Sequence, residues 1–302
     1  GGINSTRGWP RNAKGEERMP PRIGLDVRMV DVIETGLGRY ARELVRRLTS
    51  LRPEWNFILI KQPCLARVQL GEGVNVEETV VPGFLDHPCN LLAGPQINRL
   101  GLDLYHALHH FLPLALRVPR VVVTLHDLIW QEHARLTFDT RHAWLMWRLT
   151  HLYGCATMRH ALTGAHHVIA ISRHTARRAQ ARYRVPAERI SVIHHGADHM
   201  QVGQTRDHGD ESGAPYLFSL GNSKPYKNLR GLLQAFALVA LCHPGLRLKI
   251  AGRGDSLHNL RIFADRLGIA DRVDFCGMVS NDELRHMLSG ARALVFPSLI
   301  EG

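Results

Sequence analysis

The sequence has few cysteines, and none lies close to another. The five stand at positions 64, 89, 155, 242 and 276, and no Cys-x-x-Cys pair occurs. That argues against a disulfide framework and against a structural zinc site. No apolar run approaches the roughly 18–20 residues needed to span a bilayer. The first twenty residues carry no apolar core of the kind a signal peptide has, so a cytoplasmic location is expected. Aromatic residues are scarce, at 7%. There is no zinc finger, no aromatic RNA-binding signature and no polybasic tail, so nucleic acid is not an expected partner.

What is present fits a globular chain. Hydrophobic residues make up 45% and charged residues 22%, and 302 residues leave room for two domains of ordinary size. The net charge of +11 is open to nucleic acid, an anionic membrane surface or phosphorylated substrates. Most of the arginines fall on amphipathic helix patterns (Arg39, Arg42, Arg46 and Arg47; Arg173, Arg177, Arg178 and Arg182). A solvated helix face accounts for these, with an anionic membrane surface as the next reading. Of nineteen histidines, His106, His109 and His110 cluster as a metal site would. No Asp or Glu stands at ligand spacing, so no metal is expected.

Residues 1–20 are polar, rich in Gly, Pro and Arg, and read as a disordered extension, with Met19 as a candidate natural start. From Ile23 strand and helix patterns alternate. Strands are expected at Ile23–Val27, Phe57–Ile60, Leu102–His106, Val121–Leu125, Val168–Ile171 and Ile190–Ile193. Helices are expected from Gly36, from Trp144 to Leu162, and from a Ser172 cap to Tyr183. Residues 199–214 are polar and turn-forming and read as a linker. The alternation then restarts with strands at Tyr216–Leu220, Leu246–Ala251, Arg272–Phe275 and Ala293–Phe296. The helices between them are Leu229–Leu241, Leu257–Leu267 and Asp282–Leu288, the last starting at Asn281. Two such arrays imply an α/β protein of two Rossmann-like parallel-sheet domains facing a cleft, at 21–198 and 215–302.

The chemistry-bearing residues stand at strand ends. In the run from Tyr216 to Asn228, an apolar strand ends at Gly221, Lys224 and Lys227 follow in a Pro-containing loop, and a helix begins at once. Two cations there suit an anionic ligand, with lysine as a point charge for phosphate. Gly36-Leu-Gly38 partly matches a dinucleotide fingerprint, but the residues from Arg28 to Thr35 separate it from its strand, so hydride transfer is discounted. The alternatives are backbone approach to an anion and a plain turn. Thr124-Leu-His126-Asp127 ends an apolar strand. Asp127 either orients the imidazole or caps the next segment. Arg253, in Gly252-Arg253-Gly254, either reaches a phosphate or lies on the surface. Phe275 is open to a buried strand-end reading.

The ordered set Thr-x-His-Asp, Gly-x-Asp before the linker, Lys-Pro-x-Lys-Asn and Phe-Pro-Ser-x-x-Glu-Gly resembles the retaining GT-B glycosyltransferases of family 4. The resemblance spans roughly residues 22–302. It implies His126, Lys224, Lys227 and Glu301 as active-site residues, with Glu301 contacting hydroxyls of the transferred sugar. It also implies Gly36, Gly38, Asn222, Arg253, Phe275 and Val279 on the donor side, the last two in the segment whose backbone reads the base. Asn222 stands where many members have arginine, and His195 where they have asparagine. The family's second glutamate would fall at position 309, so the second domain is expected to be incomplete and this 302-residue form inactive. The implied activity is metal-independent transfer of a hexose from a nucleotide diphosphate sugar to a saccharide or lipid-linked acceptor, in surface polysaccharide or glycolipid assembly. The Lys-Pro-x-Lys-Asn form and the Ile23-Gly-Leu-Asp-Val-Arg28 run look most like bacterial mannosyltransferases, which makes GDP-mannose the expected donor and no cofactor necessary. An anionic membrane surface, with the enzyme at the inner face of the plasma membrane, is a further expected partner: Trp144, Trp147, Leu152 and Tyr153 stand among Arg141, Arg148 and Arg159. The alternatives are a nucleotide-sugar epimerase of the same architecture and a non-catalytic basic protein binding nucleic acid or membrane.

Overall fold

The computed structural model describes residues 19–30, 36–65, 69–71, 73, 75–82, 88–133, 144–197, 213–252, 254 and 257–302. All but the last two residues of the expected extension at 1–20, nearly all of the linker at 199–214, and Arg253 lie outside the described residues. The chain divides into two compact units, Gly1–His126 with Cys155–His194, and Asp127–Gly154 with His195–Gly302.

In the first unit a seven-stranded sheet runs in the order β3-β2-β1-β4-β5-β6-β7. The strands are β1 (Arg22–Asp26), β2 (Asn56–Lys61), β3 (Val76–Val80), β4 (Leu104–Ala107), β5 (Arg120–Leu125), β6 (His167–Ala170) and β7 (Ile190–Val192). Every pairing in it is parallel. Helices on both faces bury a parallel sheet, which is why β1, β2 and β5 read as nearly unbroken apolar runs. The strand order reverses between β1 and β4, the topological switch point at which open α/β sheets bind ligands.

Helix α1 (Gly36–Leu51) buries Ala41, Val45 and Thr49, spaced four apart, against Ile23, Leu25, Phe57 and Leu59. Thr49 keeps its hydroxyl satisfied by donating to Val45 O at 3.0 Å. Arg46 and Arg47 face solvent and pair with Glu43 at 2.7 and 3.7 Å, so here the solvated-face reading of the arginines holds. Two short helices, α2 (Gly94–Asn98) and α3 (Ile129–Glu132), precede the long α4 (Trp144–Gly164). Helix α5 (Arg173–Tyr183) starts where expected: Ser172 Oγ accepts from Thr175 N at 3.0 Å.

Strand β3, Val-Glu-Glu-Thr-Val, was not expected. Its polar residues mask it, because an edge strand is not buried on both faces. Glu78 pairs with Lys61 at 2.6 Å and accepts from the amides of Leu70 and Gly71 at 2.7 and 3.1 Å. Such charges on an edge also discourage pairing with another chain.

The second unit holds a parallel four-stranded sheet in the order β10-β9-β8-β11. These strands are β8 (Tyr216–Leu220), β9 (Arg247–Ala251), β10 (Val273–Gly277) and β11 (Ala293–Leu294), shorter than the Ala293–Phe296 expected. Its helices are α6 (Leu229–Cys242), α7 (Leu257–Arg266) and α8 (Asn281–Gly290). Helix α6 lays Leu229, Leu232, Leu233, Phe236 and Ala240 on Leu248 and Ile250 of β9 and on Leu260 and Ala264 of α7. Each large side chain so buried contributes about 1.5–3 kcal/mol. Helix α8 starts at Asn281 as expected, and its cap is Ser280. Ser280 Oγ accepts from Glu283 N at 3.2 Å, and Glu283 Oε2 accepts from Ser280 N at 2.7 Å. The Ser-x-x-Glu spacing of this capping box stood in the sequence.

Candidate functional site

At the switch point of the first unit, β1 ends in Asp26, whose carboxylate holds Arg28. Arg28 Nε donates to Asp26 Oδ1 at 2.9 Å and Nη2 to Oδ2 at 2.6 Å. The Tyr105 hydroxyl, from β4, donates to the same carboxylate. All three are buried. Burial opposes the charge on Arg28, but Asp26 outweighs it and holds the guanidinium protonated. Arg28 Nη1 has no partner among the described residues. No spacing in the sequence points to this network, because Asp26 and Arg28 look like ordinary strand-end residues until the fold sets Tyr105 across from them.

Next to it, β5 delivers Thr124 and His126, both buried. The Thr124 hydroxyl lies 3.0 Å from Tyr40 Oη of α1 and 2.9 Å from His106 Nε2 of β4. His126 Nε2 lies 2.9 Å from Leu108 O, and the Tyr40 ring stands edge-on to the imidazole at 5.0 Å. The backbone after β4 therefore orients the ring. Asp127 takes the capping alternative: its Oδ1 accepts from Ile129 N at 3.0 Å, and burial raises its carboxyl. Gly36 opens α1 at a place where an added Cβ would meet nothing within 4 Å. Gly38 is buried against the unit's core.

The other histidines pack rather than converge. His109 is stacked on Phe111 at 4.9 Å and tilted against His110 at 4.1 Å. Burial, and then the nearby His126, lowers His106 to about 4 and His110 to about 3. These rings are neutral at neutral pH. Among the described residues no group of three His, Cys, Asp or Glu side chains is arranged to hold a metal.

The second unit presents the carboxyl ends of β8, β9 and β10. Each ends at a glycine with positive φ: Gly221 at 154°, Gly252 at 134° and Gly277 at 68°. The strand-end backbones lie directly on one another, with Gly252 N donating to Gly277 O at 2.7 Å. A Cβ on Gly252 would stand 1.7 Å from Gly221 O, so no other residue fits.

The Lys-Pro-x-Lys-Asn loop follows β8. Asn222 folds it, with Oδ1 accepting from Lys224 N at 3.1 Å and Nδ2 lying 3.3 Å from Tyr226 Oη. Pro225–Lys227 makes one 3-10 turn, and Asn228 takes a left-handed φ of 54° before α6 begins. The segment after β11 lies along this loop. Asn228 Nδ2 donates to Pro297 O at 3.2 Å, and Leu299 N to Tyr226 O at 2.8 Å. Those two bonds bring Glu301 to Lys227, with Oε1 and Nζ 2.5 Å apart. The rings of Tyr226 and Phe296, neither anticipated, each lie 5.3 Å from Lys227 Nζ. Lys224 is exposed, its side chain forming no ion pair among the described residues.

Phe275 and Val279 place their side chains in packing. The Phe275 ring joins the α6–α7 core beneath the Arg261 guanidinium at 5.1 Å, and its carbonyl accepts from Arg261 Nη2 at 3.1 Å. Val279 packs with Tyr216, Phe218 and Leu284.

Residues 35–201 match the family described as Glycosyltransferase Family 4, and residues 204–302 the one described as Glycosyl transferases group 1. An uncharacterised glycosyltransferase of Bacillus subtilis, YqgM, is 37% identical over 28% of this chain and 24% of its own length. The O-antigen chain mannosyltransferase RfbU of Salmonella typhimurium is 29% identical over 45% of this chain and 36% of its own. The chain thus aligns with about a quarter to a third of the length of these relatives. The structure of Anabaena HepE in complex with UDP and glucose superposes with a TM-score of 0.64 at 16% identity, covering 92% of this chain and 74% of HepE. That likeness shows the fold, two Rossmann-like parallel-sheet domains of GT-B type. The family match extends over more than half of the chain, which belongs to glycosyltransferase family 4.

Proposed function

We propose that the protein transfers a sugar, with retention, from a nucleotide diphosphate sugar to an acceptor hydroxyl in the assembly of a surface polysaccharide or glycolipid. The second unit binds the donor and the first the acceptor. Mannose from GDP-mannose is the transferred sugar, and the acceptor is a saccharide or a lipid-linked saccharide. The observation that carries this reading is the meeting of Lys227 and Glu301 at the glycine-ended edge of β8, β9 and β10. A cation for the diphosphate and a carboxylate for sugar hydroxyls stand there side by side. The name of the Salmonella relative supports mannose and polysaccharide, and the HepE complex supports a nucleotide and a sugar as ligands of this fold.

In the transfer, the bond from the anomeric carbon to the leaving phosphate oxygen breaks. A bond to the acceptor oxygen forms on the same face, and the acceptor proton passes to the leaving phosphate. Negative charge grows on the diphosphate, and Lys224 and Lys227 stabilise it electrostatically, without a metal ion.

The test, made on the full-length protein, is release of nucleoside diphosphate from GDP-mannose and UDP-glucose, with and without saccharide acceptor and with and without chelator. Acceptor-dependent, chelator-resistant release is expected. Conversion of the donor sugar without acceptor would point to an epimerase or a hydrolase instead.

A further inference from the structure

We propose that the Lys227–Glu301 ion pair lets the donor edge distinguish a nucleotide sugar from a bare nucleoside diphosphate. The inference rests on the donor reading above and adds to it a specificity that neither residue has alone. Lys227 Nζ is 2.5 Å from Glu301 Oε1, and its side chain is 15% exposed against 48% for Glu301. The lysine is the fixed member. Its stem runs over Gly221, where a Cβ would lie 3.7–3.9 Å from its methylenes, and two aromatic rings flank the ammonium at 5.3 Å. Glu301 is the more exposed member of the pair.

A diphosphate oxygen that takes the Lys227 N–H now held by Glu301 Oε1 displaces that carboxylate. Two anions then compete for one ammonium. A bare nucleoside diphosphate leaves the displaced carboxylate beside a phosphate with only water to donate to it, which is a repulsive element against that ligand. A nucleotide sugar brings hydroxyl groups that donate to the displaced carboxylate, so its loss of the lysine is compensated. The pair therefore costs the bare diphosphate more than it costs the donor. After transfer the sugar is gone, the carboxylate faces the product diphosphate, and the ion pair re-forms as the product departs.

The experiment is calorimetric titration of UDP, GDP, UDP-glucose and GDP-mannose into the wild-type protein, Glu301→Gln and Lys227→Ala. Glutamine keeps the volume of a half-exposed side chain and removes only the charge. Glu301→Gln is expected to tighten the bare diphosphate by about fivefold or more and to weaken the matching nucleotide sugar, on the scale of one charged contact. If it changes both affinities by the same factor while Lys227→Ala weakens both, the discriminator is overturned and the donor site stands. If Lys227→Ala weakens neither, or no probe binds the wild-type protein, the donor reading falls and this inference with it.

Discussion

Lys227 and Glu301 are 74 residues apart in the chain and 2.5 Å apart in the fold. The contact is made by two clasps, Asn228 Nδ2 on Pro297 O and Leu299 N on Tyr226 O. Each residue is therefore held by its own strand-end segment, and the pair reports on the integrity of the whole edge.

In the full-length protein, replacing Lys227 by Ala is expected to lower turnover at least about 100-fold, the scale seen when a preorganised charge is removed from a developing anion. Lys224→Ala should act in the same direction and less, because Lys224 is exposed and its side chain is unpaired among the described residues. Initial rates of nucleotide release measure both. A loss under threefold for Lys227→Ala, with donor affinity unchanged, would make it a solvated turn lysine.

The Asp26–Arg28–Tyr105 network is expected to matter for stability. Arg28→Met leaves the Asp26 carboxylate buried without its cation, at a cost of about 3–5 kcal/mol. Urea unfolding followed by circular dichroism measures it. An unchanged midpoint would mean that the guanidinium contributes nothing beyond its packing.

Much of this was legible in the sequence, for identifiable reasons. Strands buried on both faces, such as Phe57–Ile60 and Val121–Leu125, carry continuous apolar runs that few other elements imitate. Helix α6 carries its stripe at Leu229, Leu232, Leu233 and Phe236, and the structure buries all four. Strand β3 was invisible because an edge strand satisfies its glutamates with Lys61 and two amides instead of burying apolar side chains. In the site, Lys227 and Glu301 were separately legible from their motifs. The aromatic flanks Tyr226 and Phe296 were not, since nothing in spacing says which rings a lysine will lie between.

The buried histidines give a pH dependence of definite sign. Their protonation is depressed in the folded state, so between about pH 6.5 and 4 the unfolded chain binds more protons than the folded one. The stability they contribute is complete above the unfolded value and lost as pH falls through that window. His106→Gln should flatten the acid limb of the melting temperature measured from pH 7 to 4. An acid limb as steep as that of the wild-type protein would place the sensitivity elsewhere.

Helix α4 exposes Arg148, Leu149 and Leu152, a basic and apolar surface. The side chains of Trp144 and Trp147 and all of Arg141 lie outside the described residues, and no described helix is long and apolar enough to cross a membrane. Reversible binding to anionic vesicles, released by salt, is expected from such a surface. Co-sedimentation with neutral and anionic vesicles at low and high salt measures it. Equal recovery in the supernatant under all four conditions would indicate a soluble acceptor.

The central claim is that a nucleotide sugar sits at the glycine-ended edge with its diphosphate on Lys227 and its sugar on Glu301. A crystal structure of the protein soaked with GDP-mannose, and in parallel with UDP-glucose, tests it most directly. The account predicts a diphosphate oxygen within about 3 Å of Lys227 Nζ, the ion pair broken, and Glu301 accepting from sugar hydroxyls. A nucleotide seated elsewhere, or one bound with the Lys227–Glu301 pair intact, would contradict it.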